Sequence, residues 1–159
     1  MPNWCQNELK IIGKKEDIKK FLEKIKPTLK RKKYINLFSE LFPCPKILEK
    51  KSPNPKTREE KELIKKYGDD GSGWWNWCVE KWGTKWDIDL EIISENDHEL
   101  IYETNSAWSP PLEGFTEISK LFPNLTFFIN YIEPGMGFMG ISKIKNGKID
   151  DHCVDMYQN

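Results

Sequence analysis

At 159 residues, with 38% hydrophobic and 13% aromatic side chains, the chain is long enough for a full core and too apolar for a disordered segment. No apolar run is long enough to cross a bilayer, and Met1-Pro2-Asn3-Trp4-Cys5-Gln6-Asn7 lacks the basic-then-apolar layout of an export signal, so a cytoplasmic protein without a membrane partner is expected. The formal net charge of zero hides a split: residues 1–66 carry 19 Lys/Arg against 9 Asp/Glu, and residues 67–159 carry 6 against 16, giving +10 and −10.

In chain order, "WCQNELKII" (4–12) reads as a strand with Cys5, Leu9 and Ile11 on one face, ended by Gly13. The stretch 14–27 places Ile18, Phe21, Leu22 and Ile25 at i, i+3, i+4, i+7. It is an amphipathic helix with a lysine-rich face running on towards residue 33, and Pro27 is expected to help close it. Residues 35–48 are apolar but broken by Pro43 and Pro45, which predicts an irregular segment packed on the core. A Pro-rich loop (51–57) feeds a short charged helix (57–67), and a second helix covers 74–82. "KWDIDLEII" (85–93) alternates as a strand with Trp86, Ile88, Leu90 and Ile92 on one face. "ENDH" turns it into a return strand over 99–106. Ser109-Pro110-Pro111 opens a helix over 111–122, with Leu112, Phe115, Ile118 and Phe122 as its apolar set. The run 124–132 is apolar enough to predict a strand buried on both faces. After it, 138–144 and 148–156 make a hairpin around Asn146-Gly147.

Setting aside an insertion over 30–84, the order is strand, helix, strand, strand, helix, strand. That is an α+β, ferredoxin-like split βαβ sandwich, one domain over 1–159, extended by a C-terminal β-hairpin. The expected core contains Trp75, Trp82, Phe21, Leu22, Ile88, Leu90, Phe115 and Phe127.

Four stretches, "PNWCQNELKIIG", "WNWCVEKWGTKWD", "AWSPPLEGFTEIS" and "YIEPGMGFMG", together resemble the YubB ferredoxin-like family, small proteins carried by phages and plasmids. The resemblance spans nearly the whole chain. It implies a ferredoxin-like core, a mobile-element origin and a place in the bacterial host cytosol, and it implies no reaction. By analogy, small phage accessory proteins of this kind are often counter-defence factors.

The segment "GWWNWCVEKWGTKWD" (73–87) holds five of the seven tryptophans. As a helix it sets Trp75, Cys78, Val79 and Trp82 on a core stripe, with Trp74 and Trp77 about 100–160° away. Two readings stay open for that pair: cover from the 35–55 segment, or an exposed aromatic ledge for stacking. Lys85 and Asp87 are either polar contacts at the rim of such a ledge or an ordinary ion pair. Trp108 and Ser109 start a helix, where free N–H groups hold an anion or are capped, and Thr104 and Asn105 stand nearby. Trp74, Trp77, Lys85, Asp87, Trp108 and Ser109 are therefore expected to border one ligand-binding cleft.

Cys5, Cys44, Cys78 and Cys153 form no C-x-x-C pair and neither His98 nor His152 supplies a close ligand pair, so reduced thiols and no metal are expected. "YGDDGSG" copies a polymerase aspartate pair but follows a charged helix. "GMGFMG" faintly echoes an RNA-recognition strand in the wrong place, and both lack the lysine and context of a phosphate-binding loop. No cofactor and no catalytic set are expected. Arg31 and Arg58 are the only arginines in the basic half, which disfavours sequence-specific DNA binding. The charge split instead suits two halves that complement each other, within one fold or between subunits of a homo-oligomer. The expectation is a non-catalytic binding protein that sequesters a small nucleotide-like ligand as a counter-defence factor. The alternatives are an inhibitor that binds a host defence protein, a phosphodiester-cleaving enzyme, or a weak, non-specific RNA or single-stranded DNA binder.

Overall fold

Alternation along one central strand divides the sheet into two faces with different fates. In the computed structural model, which describes residues 3–29 and 36–158, β1 (Trp4–Ile12) buries Cys5, Asn7, Leu9 and Ile11 and leaves Trp4, Gln6 and Glu8 exposed. β1 pairs antiparallel with β3 (Glu99–Ala107) on one side and β4 (Thr126–Glu133) on the other. β2 (Glu91–Glu95) flanks β3. β5 (Phe138–Lys145) and β6 (Lys148–Asp155) continue beyond β4, giving a six-stranded antiparallel sheet ordered β2-β3-β1-β4-β5-β6. The first four strands in that order are the ferredoxin-like split βαβ, and the last two are its added hairpin.

The helices α1 (Lys15–Leu29) and α5 (Leu112–Leu121) cover the inner face. Phe21 of α1 and Phe115 of α5 both meet Phe127 of β4, with ring centroids 6.2 and 6.5 Å apart. Between α1 and β2 lie α2 (Leu37–Leu41), a 3-10 turn (Lys46–Glu49), α3 (Arg58–Tyr67) and α4 (Gly73–Trp82). Thr57 and Glu60 close a capping box on α3, fixing its start. Phe38 of α2 is the hinge of the packing, stacked on Trp82 at 5.5 Å and edge-on to Phe115 at 5.6 Å. A Cβ on Gly114 would come within 2.5 Å of the Phe38 ring, so only glycine lets α5 approach this closely.

Several expectations change. α1 runs to Leu29, past Pro27, which therefore does not close it, and residues 30–33 of the lysine-rich stretch and Ile35 lie outside the described residues. Within the expected irregular segment, residues 36–48 are more regular than expected, because α2 and the 3-10 turn bury Leu37, Phe38 and Leu48. Residues 85–90 are not part of a strand. Asp87 accepts hydrogen bonds from the Phe38 and Ser39 amides at 2.9 and 2.7 Å, and the Ile88 carbonyl accepts from Leu37, so this backbone caps α2 instead of joining β3. β4 is buried on one face only: Phe127, Ile129 and Tyr131 are covered, while Asn130 is exposed and Phe128 and Ile132 are half-buried on the outer face.

The α4 stripe is also rotated. Trp75 and Val79 are 43% and 42% exposed, whereas Trp77, Cys78 and Trp82 are buried. Phe42, after α2, packs 5.8 Å from Trp77, and its carbonyl accepts the Trp82 indole N–H at 3.2 Å, so the covered side is the one this segment reaches. Of the remaining expected core residues, Phe21, Trp82, Ile88, Leu90, Phe115 and Phe127 are buried and Leu22 is half-buried.

Candidate functional site

The α4 helix ends where Gly83 adopts φ 77°, a left-handed cap that turns the chain sharply into Thr84 and Lys85. This turn is stitched to the end of β3. The Thr84 hydroxyl accepts the Ala107 amide at 3.3 Å, and the Ser109 hydroxyl donates to the Gly83 carbonyl at 2.9 Å. Beneath it, Asn7 donates to the Ser106 hydroxyl at 3.0 Å, and Ser106 donates to the Ser109 carbonyl at 2.6 Å. Trp108 is held at φ 68°, a strained conformation for a large side chain, while its amide donates to the Asn3 carbonyl at 2.9 Å.

The product of this stitching is an aromatic ledge at one end of the sheet. Lys85 Nζ lies 3.8 Å from the centroid of the Trp86 ring and 4.4 Å from that of Trp108. Trp4, at the head of β1, sets its ring 5.9 Å from Trp86 at an interplanar angle of 33°. Trp4, Trp86 and Trp108 are 48%, 41% and 39% exposed, so three indoles present their surfaces to solvent around one ammonium. Among the described residues no carboxylate pairs with Lys85. Cation–π contact orients the ammonium without neutralising it.

Of the six residues expected to border a cleft, only Lys85 and Trp108 share the ledge. Ser109 lies beneath it as a structural tie. Trp77 is buried edge-on to Trp82 at 5.7 Å, Trp74 is half-buried against the core, and Asp87 is spent on the α2 cap. The expected aromatic pair is thus replaced by Trp86 and Trp4. Trp4 carried a signal in the sequence: it heads the polar face of β1, followed by Gln6, Glu8 and Lys10, where a tryptophan has no core to enter. Trp86 carried none, because its apparent strand alternation assigned it to the inner face.

Around the corner from the ledge, a groove separates α4 and α5 from β5 and β6. One cavity of about 390 Å³ is lined by Ser109, Glu113, Tyr131, Asp151 and Cys153 among others. A second, of about 370 Å³, shares Glu113 and Asp151 with it. The buried face of the sheet grades from apolar Ile11, Leu9, Phe127 and Ile129 to polar Asn7, Ser142 and Glu133. Asp151 accepts from the Tyr131 hydroxyl at 2.9 Å and from Ser142. Burial, with hydrogen bonds to Cys153 and Asp151, holds the Tyr131 phenol protonated well above its usual range. Burial, with the Glu133 carboxylate adding to it, pushes the Cys5 thiol up to about 12. Neither group is an ionised nucleophile at neutral pH. Among the described residues no three His, Cys, Asp or Glu side chains have the arrangement of a metal site.

Residues 81–159, just under half of the chain, match the family model described as the ferredoxin-like domain in Api92-like protein. The crystal structure of the protein api92 from Yersinia pseudotuberculosis superposes with a TM-score of 0.58 at 10% sequence identity, covering 100% of this chain and 99% of that one. At that identity the likeness is one of fold, and the fold is ferredoxin-like. No curated protein matches the chain. No helix among the described residues is long and apolar enough to cross a membrane.

Proposed function

We propose that this is a non-catalytic binding protein that takes a nucleotide-like ligand on the ledge formed by Trp4, Lys85, Trp86 and Trp108. The observation that carries the reading is the Lys85 ammonium, bracketed by two exposed indoles and paired with no carboxylate among the described residues. Indole faces stack a planar base of any identity, and an unneutralised ammonium meets a phosphate as a point charge. One ligand class joins both features. In a phage or plasmid setting, inside the bacterial host cytosol, such a protein acts as a counter-defence factor by lowering the free concentration of a signalling nucleotide. Long nucleic acid is a poorer fit, because Glu8 and Glu103 face each other on the exposed side of the central strands and repel a phosphate backbone.

Tryptophan fluorescence titrated with mono-, di- and cyclic nucleotides tests this reading directly. Saturable quenching that weakens with salt, and that is lost in Lys85→Ala, is the expected result. Absence of saturable quenching by any of them would sink it. A second reading, direct inhibition of a defence protein, is favoured by Met139, Ile141 and Val154, exposed together on the outer face of the added hairpin. Retained counter-defence in Lys85→Ala, with loss in Ile141→Asp, would shift the conclusion to that surface.

A further inference from the structure

We propose, building on the nucleotide reading of the ledge, that it selects adenine and that the Gln6 carboxamide, with Asn105 beside it, does the selecting. Trp4 is the outer-face residue of β1 that joins the ledge. Gln6 is the next outer-face residue on the same strand, about 7 Å further along. Across the ladder Trp4 pairs with Ala107 and Gln6 with Asn105, so the first row of side chains beyond the indoles is a pair of carboxamides, about 5 Å apart at Cβ. Both are exposed, and neither side chain has a hydrogen-bond partner among the described residues. The next row is acidic. Glu8 pairs with Glu103, and Glu103 in turn with Glu91 of β2, all exposed on this face. Among the described residues one side-chain hydrogen bond reaches these carboxylates, from Asn130 to Glu8 at 3.1 Å.

From the ledge along the strands, the surface therefore runs from one ammonium through indoles and carboxamides to carboxylates. That order orients a nucleotide: phosphate at Lys85, base over the indoles, and the far edge of the base towards Gln6 and the glutamates. A carboxamide matches one edge of adenine in both directions, its oxygen accepting from the N6 amino group and its nitrogen donating to N7. Guanine presents two acceptors on that edge, O6 and N7. The carboxamide oxygen then faces a lone pair, and the carboxylates behind it repel O6 where they attract an amino group. Pyrimidines have no N7 and forgo the second bond. Stacking on the indoles admits any base, so selection falls to the first polar row the base edge meets.

The test is titration of tryptophan fluorescence of the full chain with AMP, GMP, CMP and 7-deaza-AMP. AMP should bind about tenfold tighter than GMP or CMP, and 7-deaza-AMP, which lacks only the N7 acceptor, should fall between them. Gln6→Ala should bring AMP down to the affinity of CMP, and Asn105→Ala should reduce the preference by less. CMP binding itself should be unchanged in both variants, showing that the stack and Lys85 remain in place. Equal affinity of the parent protein for all four nucleotides would overturn adenine selection and leave the ledge as an unselective nucleotide site. A preference for GMP, or a preference for AMP that survives Gln6→Ala, would overturn it too. If none of the four quenches saturably, the nucleotide reading of the ledge fails, and adenine selection with it.

Discussion

Two groups of tryptophans separated by a single turn of chain meet opposite fates. Trp77 and Trp82, on α4, are buried edge-on to each other beside Phe42, whereas Trp86, four residues on, is open to solvent beside Trp4 and Trp108. Nothing in the indole itself decides this. Segment 42–45 arrives over α4 and supplies both apolar cover and a carbonyl for the Trp82 N–H. Past Gly83, Trp86 meets the Lys85 ammonium and one face of Trp4, which together leave it 41% exposed. One group therefore stabilises the fold, and the other is available for binding.

The sharpest way to break the comparison is to delete one ring from each group. Trp82→Ala should destabilise by about 3–5 kcal/mol, read from urea or thermal unfolding, because it empties a buried site that cannot collapse around Phe38. An unchanged melting curve would mean the α4 rings are not the core. Next in size, Gly114→Ala should cost about 1–3 kcal/mol by pressing a methyl into the Phe38 ring, which weakens the same cluster from the α5 side. Asp87→Ala should cost about 0.5–2 kcal/mol by uncapping α2, and should leave nucleotide quenching measurable in the folded protein. Smallest in stability, Trp86→Ala and Trp108→Ala should change unfolding by no more than about 0.5 kcal/mol. Each should nonetheless weaken nucleotide binding by about 1–3 kcal/mol, seen as a shifted titration midpoint. If a ledge variant unfolds as readily as Trp82→Ala, the division between the two groups is wrong.

What was legible in the sequence follows from which interactions are local. β1, α4, α5 and the hairpin around Asn146-Gly147 stand out because alternation, capping and turn chemistry act within a few residues. The rotation of α4 does not, since stripes through Trp75 or through Trp77 both contain Cys78 and Trp82, and only the distant Phe42 chooses between them. Residues 85–90 mislead for the same reason: their alternation is that of a strand, but their hydrogen bonds go to α2, some fifty residues earlier. The ledge was half legible. Lys85 and Trp108 stand out because they lie in turns that flank the sheet, whereas alternation places Trp86 on the apolar face and marks Trp4 only as the first residue of a strand.

The central position of β1 has a consequence in time. Trp4 pairs with Ala107, and Asn7 with Tyr131, so this strand is bonded on both edges by chain about a hundred residues or more downstream. At about 5–20 residues per second, β1 waits on the order of ten seconds after its own synthesis before either partner exists. Such long-range closure makes for slow folding relative to a helical domain of similar size. Over residues 1–66 the segment that carries β1 has a net charge of +10, which the acidic residues 67–159 cancel, so mutual repulsion among nascent chains guards the unpaired strand most strongly early in that interval and fades as the sheet closes.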